Sequence, residues 1–190
     1  MGVQKQMEYL NESVPGMNGY EYPVVKGKDY YCVPNCIKMV LSSIGFHYSV
    51  EELASHFTIV TSCETTTDSE LGIHINNGDL DRLFDKLDVP LYEEYMPINQ
   101  IPEFEFPELI YNLLLQKAHI ICGYSFGLLF NENALLDIGH VSIILSSTSE
   151  CINILNPGPK FAGVNTVNEY DLYCAIRCKH DGLWILKMRR

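Results

Sequence analysis

Residues 30–57 read YYCVPNCIKMVLSSIGFHYSVEELASHF, and this stretch decides the fold of the 190-residue chain. Apolar residues recur at intervals of three and four between Val33 and Ile44, which predicts a helix with one buried face. Pro34 suits the first turn of that helix, because an N–H there would have no partner within the helix. The spacing therefore predicts that Cys32 lies at the entrance of the first helix.

Three further helices and four strands are predicted from the rest of the chain. Ser49 and Glu52 form a capping box that opens the second helix, which ends near Phe57. Apolar spacing predicts a third helix at 80–87 and a fourth at 107–117. Between the second and third helices, the polar composition of 58–74 predicts a loop. β-branched and aromatic runs predict strands at 120–126, 138–145, 151–155 and 183–186. Helices before strands indicate an α+β fold, in which an N-terminal helical part packs on a C-terminal antiparallel sheet.

The chain is predicted to hold one domain behind a short lead-in. Residues 1–29 place several prolines and glycines among tyrosines, which is typical of irregular structure. The remaining segment, 30–190, has the length of one ordinary domain, and 47% of the whole chain is hydrophobic, enough for a full core. We therefore expect an irregular N-terminal lead-in and a single folded domain.

Composition and charge exclude several classes of partner. Lys and Arg number 13 against 24 Asp and Glu, and the net charge of −11 leaves no basic stripe for nucleic-acid phosphates or an anionic membrane. No apolar run approaches the roughly 20 residues that span a bilayer, and no signal peptide is recognisable. The seven cysteines are odd in number and irregularly spaced, which predicts reduced thiols and a cytoplasmic location.

Cys32 is the candidate nucleophile. A thiol at the start of a helix faces the positive end of the helix dipole, which lowers its pKa toward the reactive thiolate. The alternative is a small core residue, because cysteine is among the residue types most often buried. Position alone does not separate the two.

His140 and Asn156 are the predicted partners of this thiol. His140 lies in GHVSIIL and Asn156 ends CINILN, two runs separated by a polar break. If they form a hairpin with its turn centred on Thr148, His140 lies directly opposite Asn156, with the two Cβ atoms about 5 Å apart. The amide oxygen then accepts from one imidazole nitrogen and leaves the other for the thiol. The alternatives are a core histidine and an ordinary Asn-Pro-Gly turn.

Two other cysteine patterns are weaker. Cys174, Cys178 and His180 have the spacing of a partial zinc site, but no fourth ligand is evident and structural zinc takes four. Cys32 and Cys36 lie one helical turn apart, which is not the C-x-x-C spacing of a thioredoxin-like redox pair. We therefore predict neither a metal nor a cofactor, and a packing role for Cys36.

Four motifs together resemble a known family. The stretch 30–57 resembles the nucleophile helix of a group of bacterial papain-like cysteine peptidases, which process bacteriocin leader peptides. It also resembles the same helix in their stand-alone relatives. GHVSIIL resembles their His strand and ILNPGP their Asn or Asp strand, and the tail pieces EYDLYCAI and GLWIL are similar to the stand-alone relatives. The resemblance covers residues 30–57 and 138–188, and the middle of the chain has no match. It implies a papain-like fold.

The resemblance also implies roles for individual residues. Cys32 is the implied nucleophile, His140 the general base and acid, and Asn156 the residue that orients the imidazole. The family usually has a Gln six residues before the nucleophile, where its amide helps bind the oxyanion; this chain has Lys26 there. Lys26 is thus an oxyanion candidate or a solvated charge, and Tyr31 a substrate-cleft or packing residue. Loss of one oxyanion donor costs roughly 10²–10³ in rate.

Three functions remain open from the sequence. The first is peptide-bond hydrolysis through a Cys-His-Asn triad, and the second is acyl transfer to an amine through the same triad. The third is an inactive peptide-binding module on the same scaffold, which the missing Gln favours. The expected partner is a peptide or acyl-carrying substrate in each case, and the oligomeric state is not predicted.

Overall fold

A computed structural model of the chain describes residues 12–60, 72–132 and 138–189. The strands are β1 (Ser13–Pro15), β2 (Glu21–Pro23), β3 (Ile59–Val60), β4 (Gly72–Ile73), β5 (Leu91–Pro97), β6 (His119–Ser125), β7 (Gly139–Ser147), β8 (Cys151–Asn156), β9 (Gly163–Asn168) and β10 (Gly182–Met188). The helices are α1 (Cys32–Ser43), α2 (Val50–Ala54), α3 (Asp79–Lys86), α4 (Phe106–Leu115), α5 (Phe126–Phe130) and α6 (Glu169–Cys178). Helices and an antiparallel sheet make the fold α+β, as predicted.

A six-stranded sheet in the order β5-β10-β6-β7-β8-β9 forms the centre, and every neighbouring pair is antiparallel. Alternate residues of its strands point to opposite faces and enter two separate cores. Ile121 and Ile143 belong to the core that contains α1, whereas Ile120 and Ile144 belong to the core that contains α4 and α6. The sheet is therefore covered by helices on both faces, and α1 alone carries the candidate nucleophile.

The predicted helical pair is confirmed. Val33, Ile37, Val40 and Leu41 of α1 are all buried, which is the apolar face that the spacing predicts. Ser49 caps α2 by accepting a hydrogen bond from the backbone N–H of Glu52 at 3.1 Å. The predicted third and fourth helices correspond to α3 and α4, with ends that differ by a few residues.

The sequence interpretation misses strand β5, which lies between two of the predicted helices. This strand, LYEEYMP, pairs with β10 over seven residues at one edge of the sheet. Its acidic residues hide the pattern, and Glu93 is nevertheless only 8% exposed because it accepts hydrogen bonds from the N–H groups of Gly78 and Leu80, at 2.9 Å each. The carboxylate thus caps the start of α3 from a neighbouring strand, as expected of an anion at a helix N-terminus.

Two further segments are more regular than the sequence predicts. Residues 163–178 form β9 and α6, and Asn168 caps α6 by accepting from the N–H of Tyr170 at 2.9 Å. Within the predicted irregular lead-in, β1 and β2 form a hairpin. Of the predicted loop 58–74, residues 61–71 lie outside the described part, and its described ends pair as β3 and β4.

The hairpin of the lead-in is anchored by a buried polar group. The Tyr22 hydroxyl lies 2.7 Å from His119 Nδ1 and accepts from Asn18 Nδ2 at 2.7 Å. All three side chains are buried, so each needs a partner inside the protein. The contact connects β2 to the first residue of β6, and β6 pairs with β7, the strand that carries His140.

Candidate active site

Cys32 is the first residue of α1 and lines a cleft, with its side chain partly exposed. Burial raises the pKa of its thiol, and backbone hydrogen bonds at Val141, Val33 and Cys32 itself act to lower it. The sequence expectation of a net lowering by the helix end is therefore wrong in direction, because desolvation of the thiolate outweighs the nearby N–H groups. At neutral pH the resting side chain is a thiol.

Cys36 occupies the packing role predicted for it. Its side chain is fully buried one turn further along α1, and its Sγ lies 3.7 Å from the carbonyl oxygen of Val141 in β7. Burial raises the pKa of this thiol as well. The contact fixes the first turn of α1 against the start of β7, which is the part of the strand that carries His140.

The predicted register of the β7–β8 hairpin is wrong by two residues. Ile144 pairs with Ile154, where the symmetric turn predicts Ile152. Because side chains alternate with a period of two, a shift of two residues keeps them on their predicted faces. His140 and Asn156 are therefore diagonal neighbours on one face and not directly opposite.

A β-bulge at Leu145 produces this shared face. Next to the turn, Ser146 pairs with Asn153, and that register continued along the strands would put His140 and Asn156 on opposite faces. The extra residue in β7 changes the register by one and returns both side chains to the same face. A hydrogen bond from the lead-in reaches the bulged residue: the N–H of Met17 donates to the carbonyl oxygen of Leu145 at 2.8 Å.

A hydrogen bond of 2.9 Å joins His140 Nε2 and Asn156 Oδ1. The orientation of the Asn156 amide is fixed by two other contacts: Oδ1 accepts from the Gly158 N–H at 2.8 Å, and Nδ2 donates to the Lys160 carbonyl at 3.2 Å. An oxygen toward the ring means that Nε2 carries the proton, which leaves Nδ1 as the basic nitrogen of the neutral imidazole. Gly158 has φ of +82°, a conformation that glycine adopts without strain.

Aromatic side chains enclose the imidazole. The rings of Tyr124 and Phe126 meet the His140 ring edge to face, with centroids 5.7 and 5.2 Å away. Burial lowers the pKa of His140 to about 4, and the hydrogen bond with Asn156 opposes this shift. The ring is therefore neutral at pH 7 and is able to accept a proton.

One cleft of about 620 Å³ brings Cys32 and His140 together, a volume in the range of small-ligand and peptide-side-chain sites. Asn156 lies behind His140 and is fully buried. The remaining cleft walls come from the loop before α1, from β4 and its surroundings, and from the starts of β7 and β10. The charged residues among them are Lys28, Asp29, Lys160, Lys179 and Asp181.

The two oxyanion and substrate candidates lie elsewhere. Lys26 is exposed and is not among the described residues that line the cleft. Tyr31 precedes α1, packs against the α1-side core and has the Lys28 ammonium 5.7 Å from its ring centre. Neither side chain is therefore among the described residues that line the cleft with Cys32.

The sequence interpretation overlooks three cleft residues near the C-terminus, Lys179, Asp181 and Trp184. Lys179 and Asp181 lie just before β10, and Trp184 is its third residue. The end of β6 and the start of β7 lie at the same end of the sheet as the start of β10, because neighbouring strands run antiparallel. A residue just before strand GLWIL is thus a neighbour of His140 in space. Knowing that β10 pairs with β6 would have revealed these residues, but the sequence does not predict that pairing.

The structure describes no group of three or more His, Cys, Asp or Glu side chains that could hold a metal ion within residues 12–60, 72–132 and 138–189. Among the helices of those same ranges, none is long and apolar enough to cross a membrane.

Solved structures give the only informative comparisons, since no protein family and no curated protein matches the chain. A structure from Bacillus anthracis, described as a C39-like peptidase, is similar over 95% of this chain and 100% of its own, with 14% identity and a TM-score of 0.63. The peptidase domain of Streptococcus ComA, a bifunctional ABC transporter of a quorum-sensing pathway, is similar over 89% of this chain and 99% of its own, with 16% identity and a TM-score of 0.51. The resemblance drawn from the sequence is thereby confirmed at the level of the fold: the chain has the papain-like fold of the C39-like peptidases.

Proposed function

We propose that the protein is a cysteine peptidase that uses Cys32, His140 and Asn156. The observation that supports this most strongly is the His140–Asn156 hydrogen bond, because the fixed amide sets the tautomer in which Nδ1 is basic. Cys32 lines the same cleft at the start of α1. A thiol, a neutral imidazole and an orienting amide are the groups that a Cys-His-Asn mechanism requires.

The proposed reaction begins from neutral groups. His140 Nδ1 takes the proton of the Cys32 thiol as the sulfur attacks the peptide carbonyl carbon, and the carbonyl oxygen becomes an oxyanion. In this proposal the backbone N–H of Cys32, at the start of α1, donates to that oxygen. The intermediate collapses, His140 returns the proton to the leaving amine, and an acyl thioester remains on Cys32. His140 then deprotonates a water molecule, which attacks the thioester and regenerates the thiol.

A peptide-binding module without catalysis is the second candidate, and one observation favours it. Lys26, which stands at the position of the family's oxyanion Gln, is exposed. The residue at that position then supplies no side-chain donor to the cleft, and a missing oxyanion donor costs roughly 10²–10³ in rate. We therefore expect slow cleavage, slower than in enzymes with a complete oxyanion hole.

Mass-spectrometric profiling with an equimolar library of tetradecapeptides tests the proposal. Wild-type protein is expected to produce new termini, and Cys32→Ala and His140→Ala are expected to produce none. Cys178→Ala is the matched control, because Cys178 is exposed on α6 and does not line the cleft. Equal cleavage by wild type and Cys32→Ala would refute the peptidase. Repeating the incubation with a peptide amine at low concentration separates hydrolysis from transfer to an amine, since a transferase forms the new amide and a hydrolase forms mainly the acid.

A further inference from the structure

We propose that the rings of Phe126, Phe130 and Phe161 bind an apolar side chain of the substrate, on the part of the peptide that departs when Cys32 is acylated. These three side chains are called the aromatic strip below. The inference rests on the proposed peptidase function and names its substrate class, a peptide with a large apolar residue just after the cleaved bond. It sets no requirement on the residues before that bond.

The aromatic strip runs without interruption from the cleft to the protein surface. Phe126 lines the cleft, and its ring meets the His140 ring edge to face with the centroids 5.2 Å apart. The rings of Phe126 and Phe130 lie 4.8 Å apart, and Phe161 stacks on Phe130 at 4.7 Å with an angle of 13° between the planes. Phe126 is buried, Phe130 is half-buried, and Phe161 is 46% exposed. An apolar surface that continues from a reactive cleft in this way is typical of a binding site.

Contacts along β7 place the aromatic strip on the side where the departing peptide lies. The backbone of Val141 is hydrogen-bonded to the Cys32 thiol, whereas the N–H of Phe126 donates to the carbonyl oxygen of Ile138 at 3.0 Å. His140 lies between Ile138 and Val141 in the chain, so the thiol and the strip contact this segment on either side of it. In the proposed mechanism His140 returns a proton to the leaving amine, which therefore passes next to the imidazole. The peptide beyond that amine continues toward the strip.

Phe161 is held in its exposed position by side-chain amides. Its φ of +53° lies in the left-handed region, which bulky side chains rarely adopt. Its carbonyl oxygen accepts from Asn165 Nδ2 at 2.7 Å, and the carbonyl oxygen of Lys160 accepts from Asn156 Nδ2 at 3.2 Å. Backbone strain of this kind clusters at ligand sites, where the surrounding structure maintains it. The residue that orients His140 thus also fixes the segment that presents the outermost ring of the strip.

Competition between two amines for the acyl-enzyme tests the inference. A short peptide thioester loads Cys32 at pH 8 in the presence of phenylalaninamide and alaninamide, at equal concentrations that are raised until an amide product is detected. The amine nitrogen bonds to the thioester carbonyl carbon, the carbon–sulfur bond breaks, and His140 carries the amine proton to the Cys32 sulfur. Because this step reverses the departure of the leaving amine, the side chain of the incoming amine occupies the departing side. Mass spectrometry gives the ratio of the two products, after subtraction of what Cys32→Ala forms.

Wild type is expected to form at least about tenfold more of the phenylalanine product, the ratio that partial burial of one such side chain supplies. Phe161→Asn should lower this ratio at least about threefold, because the stacked pair with Phe130 is lost. Asparagine is chosen because it tolerates the left-handed backbone. Phe104→Asn is the matched control and should keep the wild-type ratio, since Phe104 is 83% exposed and is not among the described residues that line the cleft.

Equal amounts of the two products in wild type, or an unchanged ratio in Phe161→Asn, would overturn the role of the aromatic strip and leave the peptidase standing. If no acyl group forms on Cys32 when the amines are omitted, the proposed peptidase is itself refuted. Far-UV circular dichroism verifies that both asparagine variants are folded, and the wild-type ratio tests the inference without any variant.

Discussion

Replacing Asn156 with aspartate tests how this residue controls His140. Asn156 Oδ1 lies 2.9 Å from His140 Nε2, and Asn156 is fully buried, so a carboxylate there acts on the ring with little solvent screening. An opposite charge at this range raises the pKa of a histidine by roughly 1–3 units. Starting from about 4, the pKa of His140 is expected to rise to about 5–7 in Asn156→Asp.

The shift has a measurable consequence at pH 6. The protonated fraction of His140 rises from roughly 1% to between about 10 and 90%, by the ordinary titration relation applied to those pKa values. An imidazolium favours the thiolate of a nearby cysteine, so Cys32 should react faster with iodoacetamide at this pH. The assay is an NMR titration of the His140 ring proton, with the alkylation rate of Cys32 measured in parallel.

Asn153→Asp is the matched control for this experiment. Asn153 lies on the same strand, and its amide bonds to Ser146 Oγ at 2.9 Å and to Thr166 Oγ1 at 2.6 Å, away from the imidazole. The same substitution there should leave the pKa of His140 unchanged. Identical titration curves for the two aspartate variants would refute the statement that Asn156 sets the protonation of His140.

Three further predictions follow from buried titratable groups. Cleavage should decline as pH falls through about 4, because protonated His140 cannot accept the thiol proton; a pH profile of kcat/KM measures this. His119 has its folded pKa lowered to about 4, so the unfolded chain binds the proton below about 6.5 and up to about 3 kcal/mol of stability is lost by pH 4. Protonation of Asp181 in the same pH range stabilises the folded state, so the effect of His119 has to be measured by difference. Urea unfolding of wild type and His119→Gln at pH 7 and 4.5 gives that difference, and the variant should lose less unfolding free energy between the two pH values. Tyr22→Phe should cost about 1–2 kcal/mol in the same assay, because it leaves buried partners unpaired, whereas the exposed Tyr111→Phe should cost nothing measurable.

The helical half of the fold could be predicted because its information is local. The periodic apolar residues of α1 and the Ser49–Glu52 capping pair act within one or two turns, and both are found where the sequence places them. Strand β5 could not be predicted in the same way. Glu93 makes it look like a polar loop, and its burial is explained only by the N–H groups of α3 that the carboxylate caps.

In the candidate site, too, local features could be predicted from the sequence and long-range contacts could not. His140 and Asn156 are neighbours as predicted, but the geometry that joins them depends on the bulge at Leu145, whose carbonyl is held by Met17 from the far end of the chain. The sequence of the two strands does not predict that contact. Asp181 was missed because its position beside the cleft follows from the pairing of β10 with β6, and strand order is a long-range property.

The protonation of the site was also outside the reach of the sequence. The helix start at Cys32 predicts a lowered thiol pKa, whereas burial raises it in the folded protein. Burial depends on how α1 and β7 pack together, and the spacing of residues along the chain does not contain that information. The sequence thus predicted which chemical groups form the candidate site, but it did not predict their resting charges.

Capture of the acyl-enzyme tests the central claim most directly. Incubation of the full chain with a short peptide thioester, followed by intact-mass analysis and peptide mapping, is expected to show one acyl group on Cys32. The adduct should be absent from Cys32→Ser and form much more slowly in His140→Ala, while Cys178→Ala should behave as wild type. An adduct that persists in Cys32→Ser, or that spreads over the exposed cysteines at equal rates, would contradict the assignment of Cys32 as the nucleophile.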